Sequence, residues 1–188
     1  MAEDTQYILV PSRFGAFGLV WKEVADNAHV QRVLLPREGV SMESLLHAAL
    51  PGIKPGGCPA VENLAEQMRR FLAGEPVALP LDLLALGDCS PFQRRVLLAE
   101  YQIPRGWVST YGLIARHLGV PGGARAVGGA LARNPFPIII PCHRAIASDG
   151  SLGGYQGGLA MKRSLLEMEG MQFGPNGRIV AQRLHYQT

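Results

Sequence analysis

Residues 134–144 read NPFPIIIPCHR and place Cys142 directly before His143. A thiol becomes a nucleophile when a base or a positive field converts it to thiolate, and the base needs a third group to orient it. His143 is the base at hand, and a tight turn lets its imidazole approach the sulfur through a water. Glu167 and Glu169 are the acids that follow. Glu169 closes the amphipathic run LAMKRSLLEME. A carboxylate at the C-terminal end of a helix is disfavoured by the helix dipole, so Glu169 points to another task, such as holding His143. Cys58 and Cys89 lack such surroundings and read as inert small apolar side chains.

The elements that must position these groups can be read around them. Ile138–Ile140 reads as a buried strand that Pro141 ends. Asp149-Gly150 is a two-residue hairpin signal. GGYQGG at 153–158 is a loop rich in backbone donors, able to approach a planar ligand closely. A helix over 159–169 follows, stopped by Gly170. Upstream, Ser90 caps a helix with Pro91 in its first position and Gln93 completing a capping box, running to about Tyr101. Thr110 caps a helix over 111–118, a VPGG turn follows, and a second helix spans 124–133. Together they read as a helix-turn-helix. Gly128 and Gly129 inside the second helix cost about 1 kcal/mol each relative to Ala, which suits a face that another backbone approaches. Nearer the start, Gln6–Val10, Ala16–Trp21 and Val30–Leu35 are β-prone, and 61–72 carries apolar residues at helical spacing.

The expected organisation is an α/β N-terminal domain over 1–80, a linker over 81–89, a mainly α C-terminal domain with a helix-turn-helix and a short β-hairpin over 90–173, and an extension over 174–188. Within that extension, 178–184 reads as an added strand. At 188 residues, with 47% hydrophobic and 18% charged side chains, the chain can bury a core, and long disorder is excluded. No apolar run is long enough to span a bilayer. The acidic start MAEDTQYILV is unlike a secretory signal, which points to the cytoplasm. Residues 1–88 carry 7 Lys+Arg against 11 Asp+Glu, net −4, whereas residues 89–188 carry 11 against 4, net +7. A basic half of this kind suits a polyanion, with nucleic acid the usual one. Three cysteines without a C-x-x-C pair leave at least one free thiol and argue against disulfides and structural zinc.

PFQRRVL, GWVSTYGLIARHLG, ARAVGGALARNP, IIIPCHR and SLGGYQGGLAMKRSLLEMEG, in this order and spacing, resemble the O6-alkylguanine-DNA alkyltransferases. The likeness runs from about Ser90 to Gly170. It implies a single-turnover DNA-repair protein that flips an O6-alkylguanine, and by extension an O4-alkylthymine, out of double-stranded DNA and moves the alkyl group irreversibly to its own cysteine. On this likeness Cys142 is the acceptor, His143 its water-mediated base, Glu169 the orienting carboxylate and Asn134 the brace of the active-site turn. Tyr111 crowds the target phosphate and gives the leaving guanine a proton. Arg125 fills the vacated stack, with Gln93, Ser148 and Gly129 as further DNA contacts. Leu131, Pro137, Ala145, Tyr155 and Gln156 form the substrate pocket, the carbonyls of Cys142 and Ala145 taking the guanine amino group.

The small-residue face at Ala126, Gly129 and Ala130 would lie in the minor groove, whose readout is degenerate. The resemblance implies a monomer without cofactor or metal, since the zinc-binding cysteines of some relatives are missing here. Ala145 stands where Val is usual. The alternative is an alkyltransferase-like protein that binds lesions without transfer, but such relatives lack the cysteine that Cys142 supplies. A transcription regulator would need a second DNA-binding domain or a metal-binding cysteine cluster.

Overall fold

Strands with buried apolar side chains build the first sheet. In the computed structural model, which describes residues 5–180 and 183–187, β1 (Thr5–Val10), β2 (Phe17–Val24) and β3 (Asn27–Leu34) form an antiparallel meander. β4 (Lys54–Pro55) adds a parallel edge, giving the order β3-β2-β1-β4. Ala25 and Asp26, at φ 49° and 63°, make the tight connection between β2 and β3. Phe17–Trp21 of β2 is buried on both faces, as a central strand should be.

Helix α2 (Pro59–Leu72) packs against β1 and buries Val61, Leu64, Met68, Phe71 and Leu72, the residues whose spacing predicted it. Each such side chain contributes roughly 1.5–3 kcal/mol on burial. Helix α1 (Met42–Ala49) has no counterpart in the sequence reading. It is two turns long and buries Met42 and Leu46 against Tyr7, Val20 and Ile53, too few positions to show a period.

The chain divides into one unit of residues 1–86 with 135–139 and a second of 87–134 with 140–188. The second unit begins at Gly87.

Three expectations need correction. Ile138–Ile140 is buried but is not a strand: Ile138 sits at φ 76°, and prolines at 135, 137 and 141 remove the ladder donors. The Asp149-Gly150 turn forms, with Ala147 N donating to Ser151 O over 2.9 Å, but its arms build no two-stranded ladder. Instead β6 (Ala145–Ile146) pairs in parallel with β5 (Ser109–Thr110). The added strand expected over 178–184 is reduced to single bridges, Phe173 with Ile179 and Val108 with Leu184; residues 181 and 182 lie outside the described residues.

In the second unit, Ser90 caps α3 (Pro91–Tyr101) by accepting from Gln93 N. Thr110 caps α4 (Tyr111–His117) in the same way through Leu113 N. A turn through Gly119 and Gly122, both at positive φ, leads to α5 (Ala124–Ala132). Helix α6 (Gly158–Met168) covers a core of Val108, Ile146, Leu166, Met171 and Ile179.

Candidate active site

Cys142 opens a single 3-10 turn, Cys142–Arg144, whose three residues are all buried. The turn forms because Pro141 cannot extend a ladder, and because Cys142 N and Arg144 N donate back to Ile140 O and Pro141 O. Asn134 reaches the same segment: its side-chain amide donates to Ile140 O at 3.1 Å, and it is also hydrogen-bonded to the Cys142 thiol. The carbonyl of Asn134 accepts from Gln156, tying the turn to the glycine loop.

Behind the thiol lies a buried polar triad. His143 Nε2 is 3.0 Å from Glu169 Oε1, and Arg144 grips both oxygens of the same carboxylate at 2.9 and 2.8 Å. A further Arg144 proton goes to Ile103 O. Burial works against the charge on Glu169, but His143 and Arg144 outweigh it and hold the carboxyl down at about 2. Glu169 is the C-cap of α6, so these two partners supply what the helix dipole withholds. Burial lowers the pKa of His143, keeping the ring neutral. An ionised Glu169 can only accept, so Nε2 carries the ring proton and Nδ1 is the acceptor nitrogen.

Cys142 and Tyr111 line a pocket of about 570 Å³ together with Arg125, Gly128, Leu131, Tyr155 and Gln156. That lies within the roughly 300–1,000 Å³ of small-molecule sites. Burial pushes the Cys142 thiol up to about 12, against the pull of the Asn134 hydrogen bond, and it also pushes the Tyr111 phenol up to about 12. The phenol is therefore a proton donor at neutral pH and the sulfur rests as thiol. Gly153, at φ 66°, is required where it stands: a Cβ there would come within 2.7 Å of the Tyr111 hydroxyl.

Several residues singled out in the sequence lie elsewhere. Pro137 is not among the pocket-lining residues and falls in the first unit. The Ala145 carbonyl is taken by Lys162 Nζ at 2.7 Å, in a residue that is fully buried and does not line the pocket. The side chain of Gln93 closes no capping box; it donates to Ala130 O and Arg133 O at the end of α5. Ala130 is buried, so the open face of α5 is carried by Arg125 and Ala126, with Gly129 half-buried beside Arg133. Ser148 is exposed next to the Asp149-Gly150 turn.

Two buried charged side chains escaped the sequence reading. Lys162 is buried and donates to Ala145 O, Leu152 O and Gly154 O at 2.7, 2.5 and 3.3 Å. It was detectable as the one lysine among the arginines of residues 89–188, sharing a helix face with Leu165 and Leu166. Glu100 is buried on α3 beside Val96, Leu97 and Ala99, an acid on an apolar face. Among the described residues, no cluster of His, Cys, Asp and Glu could hold a metal ion, and no helix is long and apolar enough to cross a membrane.

Residues 91–171 match the family model of the 6-O-methylguanine DNA methyltransferase DNA-binding domain. A methylated-DNA–protein-cysteine methyltransferase of Methanothermobacter thermautotrophicus is 50% identical over 112 residues, 60% of this chain and 62% of that protein. One from Shigella flexneri is 33% identical over 165 residues, 87% of this chain and 88% of that protein. The crystal structure of Mycobacterium tuberculosis OGT in complex with DNA aligns with a TM-score of 0.68 at 32% identity, covering 88% of this chain and 93% of that one. The matched stretch spans 62% of the length of the first of these curated relatives.

Proposed function

The chain belongs to the methylated-DNA–protein-cysteine methyltransferase family, and on that premise we propose that it repairs double-stranded DNA by taking the alkyl group of O6-alkylguanine onto Cys142. The observation that carries this reading is Cys142 on the wall of a 570 Å³ pocket with the His143–Glu169 pair behind it. The lesion is turned out of the stack, which costs a few kcal/mol and less for a damaged pair. Tyr111 crowds the backbone, and Arg125, on the open face of α5, fills the gap. Gln93, Ser148 and Gly129 bear on the DNA through their own backbone or surface, the Gln93 amide being engaged within the protein.

The thiol proton passes through a water to His143, whose imidazolium Glu169 stabilises. The thiolate attacks the alkyl carbon, an S–C bond forms, and the O6–C bond breaks. Tyr111 protonates the departing guanine so that it leaves neutral. Leu131, Tyr155 and Gln156 wall the base. The thioether has no route back, so one protein repairs one lesion, and O4-alkylthymine is taken by the same chemistry. A monomer acting in the cytoplasm without cofactor or metal suffices. A lesion-binding protein without transfer has no use for a thiol placed on the pocket wall.

Intact-mass analysis after incubation with a duplex holding one O6-methylguanine tests this. One methyl unit on the Cys142 peptide is expected. Cys142→Ala should bind the duplex and take nothing, and methylation at Cys58 or Cys89 instead would sink the assignment. Arg125→Ala should slow repair in duplex more than transfer from the free base; equal losses would remove the stack-filling role.

A further inference from the structure

Glu100 is the feature of the second unit that this chemistry leaves unused. It is 0% exposed, on the face of α3 that packs against the 3-10 turn of Cys142. Neither of its carboxyl oxygens makes a hydrogen bond of full geometry among the described residues, and the one donor that favours its charge is the backbone N–H of Ala145, next to the Cys142 turn. A buried carboxylate with so little donor support is costly, so what lies around it decides what it can do.

The charged and titratable groups facing Glu100 come from four other elements. They are Cys142 and Arg144 on the 3-10 turn, Lys162 on α6, Tyr111 on α4, and Tyr186 on the C-terminal segment. Both cations are committed elsewhere. Arg144 holds Glu169 and Ile103 O, and Lys162 has one proton for each of three carbonyls. Glu100 therefore acts on Lys162, Arg144 and Cys142 through space. With Glu100 ionised, the charges buried around Cys142 are Arg144 and Lys162 against Glu169 and Glu100, which cancel while Cys142 is a thiol. A thiolate adds an uncompensated negative charge. A thiolate beside a protonated Glu100 restores the balance.

We propose that Glu100 is a buried counter-charge that competes with Cys142 for the field of Lys162, so that its ionised form holds the sulfur protonated and its neutral form lets the thiolate appear. The proposal deepens the repair reading, because it names what sets the reactivity of the acceptor before DNA arrives. Burial raises the carboxyl to about 8, against the pull of Lys162 and Arg144, so both forms of Glu100 are accessible near neutral pH. Lys162 is lowered to about 8 by burial, with Cys142 and Glu100 both favouring its charge. The lysine is thus the shared partner of the two acids.

The test is the pH profile of Cys142 alkylation by iodoacetamide, read by mass on the Cys142 peptide. The thiolate displaces iodide: an S–C bond forms and the C–I bond breaks. Glu100→Gln keeps the shape and removes the charge; Glu100→Leu removes the polar group as well. Both should react like wild type near neutral pH, where Glu100 is mostly protonated, and about tenfold faster at about pH 9, where wild-type Glu100 is ionised, with the alkaline limb displaced to lower pH and the alkaline plateau unchanged. Superimposable profiles, or a loss at every pH, would overturn the proposal, as would failure of both variants to fold. The repair reading is judged separately. A wild-type protein that reacts with iodoacetamide but accepts no methyl from O6-methylguanine DNA refutes repair and still reports on Glu100.

Discussion

Two carboxylates lie buried in the same unit and end with opposite proton affinities. Glu169, capping α6, faces three hydrogen bonds from His143 and Arg144 and is held at about 2. Glu100, on α3, has no charged donor and only the backbone N–H of Ala145 to favour its charge, and burial pushes it to about 8. Burial is the largest influence on both, and it points the same way in both. The difference is therefore made by donors: a carboxylate that accepts several charged hydrogen bonds keeps its charge inside a protein, and one that sees cations only at a distance does not. Glu169 is built to stay ionised behind His143, whereas Glu100 can change charge while the site works.

The largest effect should come from breaking the satisfied side. Glu169→Gln leaves Arg144 buried with a neutral partner and removes the acceptor that fixes the His143 tautomer. Losing one member of a buried pair costs about 3–5 kcal/mol, which denaturant unfolding at neutral pH should register, and methyl transfer should fall at least a hundredfold with the orienting group gone. If Glu169→Gln were as stable and as active as the wild type, the contrast between the two carboxylates would carry no meaning for function.

How the sequence prefigured this pair is instructive. Glu169 was visible because it occupied a helix end where a negative charge is out of place, and the structure supplies the His143 contact that its position called for. Strands β1 to β3 and helices α2 to α6 were legible because periodicity, caps and glycine stops are local signals. Helix α1 was not, since only Met42 and Leu46 face inward. The Ile138–Ile140 run read as a strand because hydrophobicity tells that a segment is buried and not how its backbone turns. The partners of Lys162 and Glu100 are carbonyls and charges from other elements, which no spacing along the chain reveals.

A second prediction turns the comparison into a pH dependence with two limbs. The folded pKa of Glu169, about 2, lies below its usual 4.5, so its contribution to stability is complete above that value and is lost as pH falls toward 2. The folded pKa of Glu100, about 8, lies above 4.5, so the protein gives up stability as pH rises from 4.5 through 8. His143, whose pKa burial lowers from 6.5, also makes stability depend on pH, so the variant is compared with wild type at each pH. Glu100→Gln should flatten the upper limb and exceed wild type by about 2 kcal/mol at mildly alkaline pH, while leaving the acid limb alone. A variant that shifted both limbs equally would show that the carboxylates do not act separately.

Lys162 sharpens the comparison from the cation side. Lys162→Met removes the positive charge that Glu100 and Cys142 share and frees three carbonyls around the glycine loop. Alkylation of Cys142 by iodoacetamide at neutral pH should slow about tenfold. In the double variant with Glu100→Gln, part of that loss should return in alkaline solution, where Glu100 would otherwise be ionised, because the competing negative charge is gone as well. Strict additivity of the two changes would mean that the lysine serves the loop and not the sulfur.

The smallest effect separates charge from packing on the Glu100 side. Tyr186 donates to Ala99 O at 2.9 Å, contacts Gln102 Oε1 at 3.1 Å, and stacks on His117 with ring centroids 3.9 Å apart. It thus steadies the end of α3 that carries Glu100, and it holds no charge near neutral pH, since burial raises its phenol. Tyr186→Phe keeps the ring and its stacking while removing the hydroxyl, a loss of about 1 kcal/mol that thermal unfolding should detect. The pH profile of Cys142 should keep its midpoint. If loosening the end of α3 in this way displaced the profile as far as Glu100→Gln does, the sulfur would be responding to the placement of the helix, and the charge on Glu100 would have no separate part in setting its reactivity.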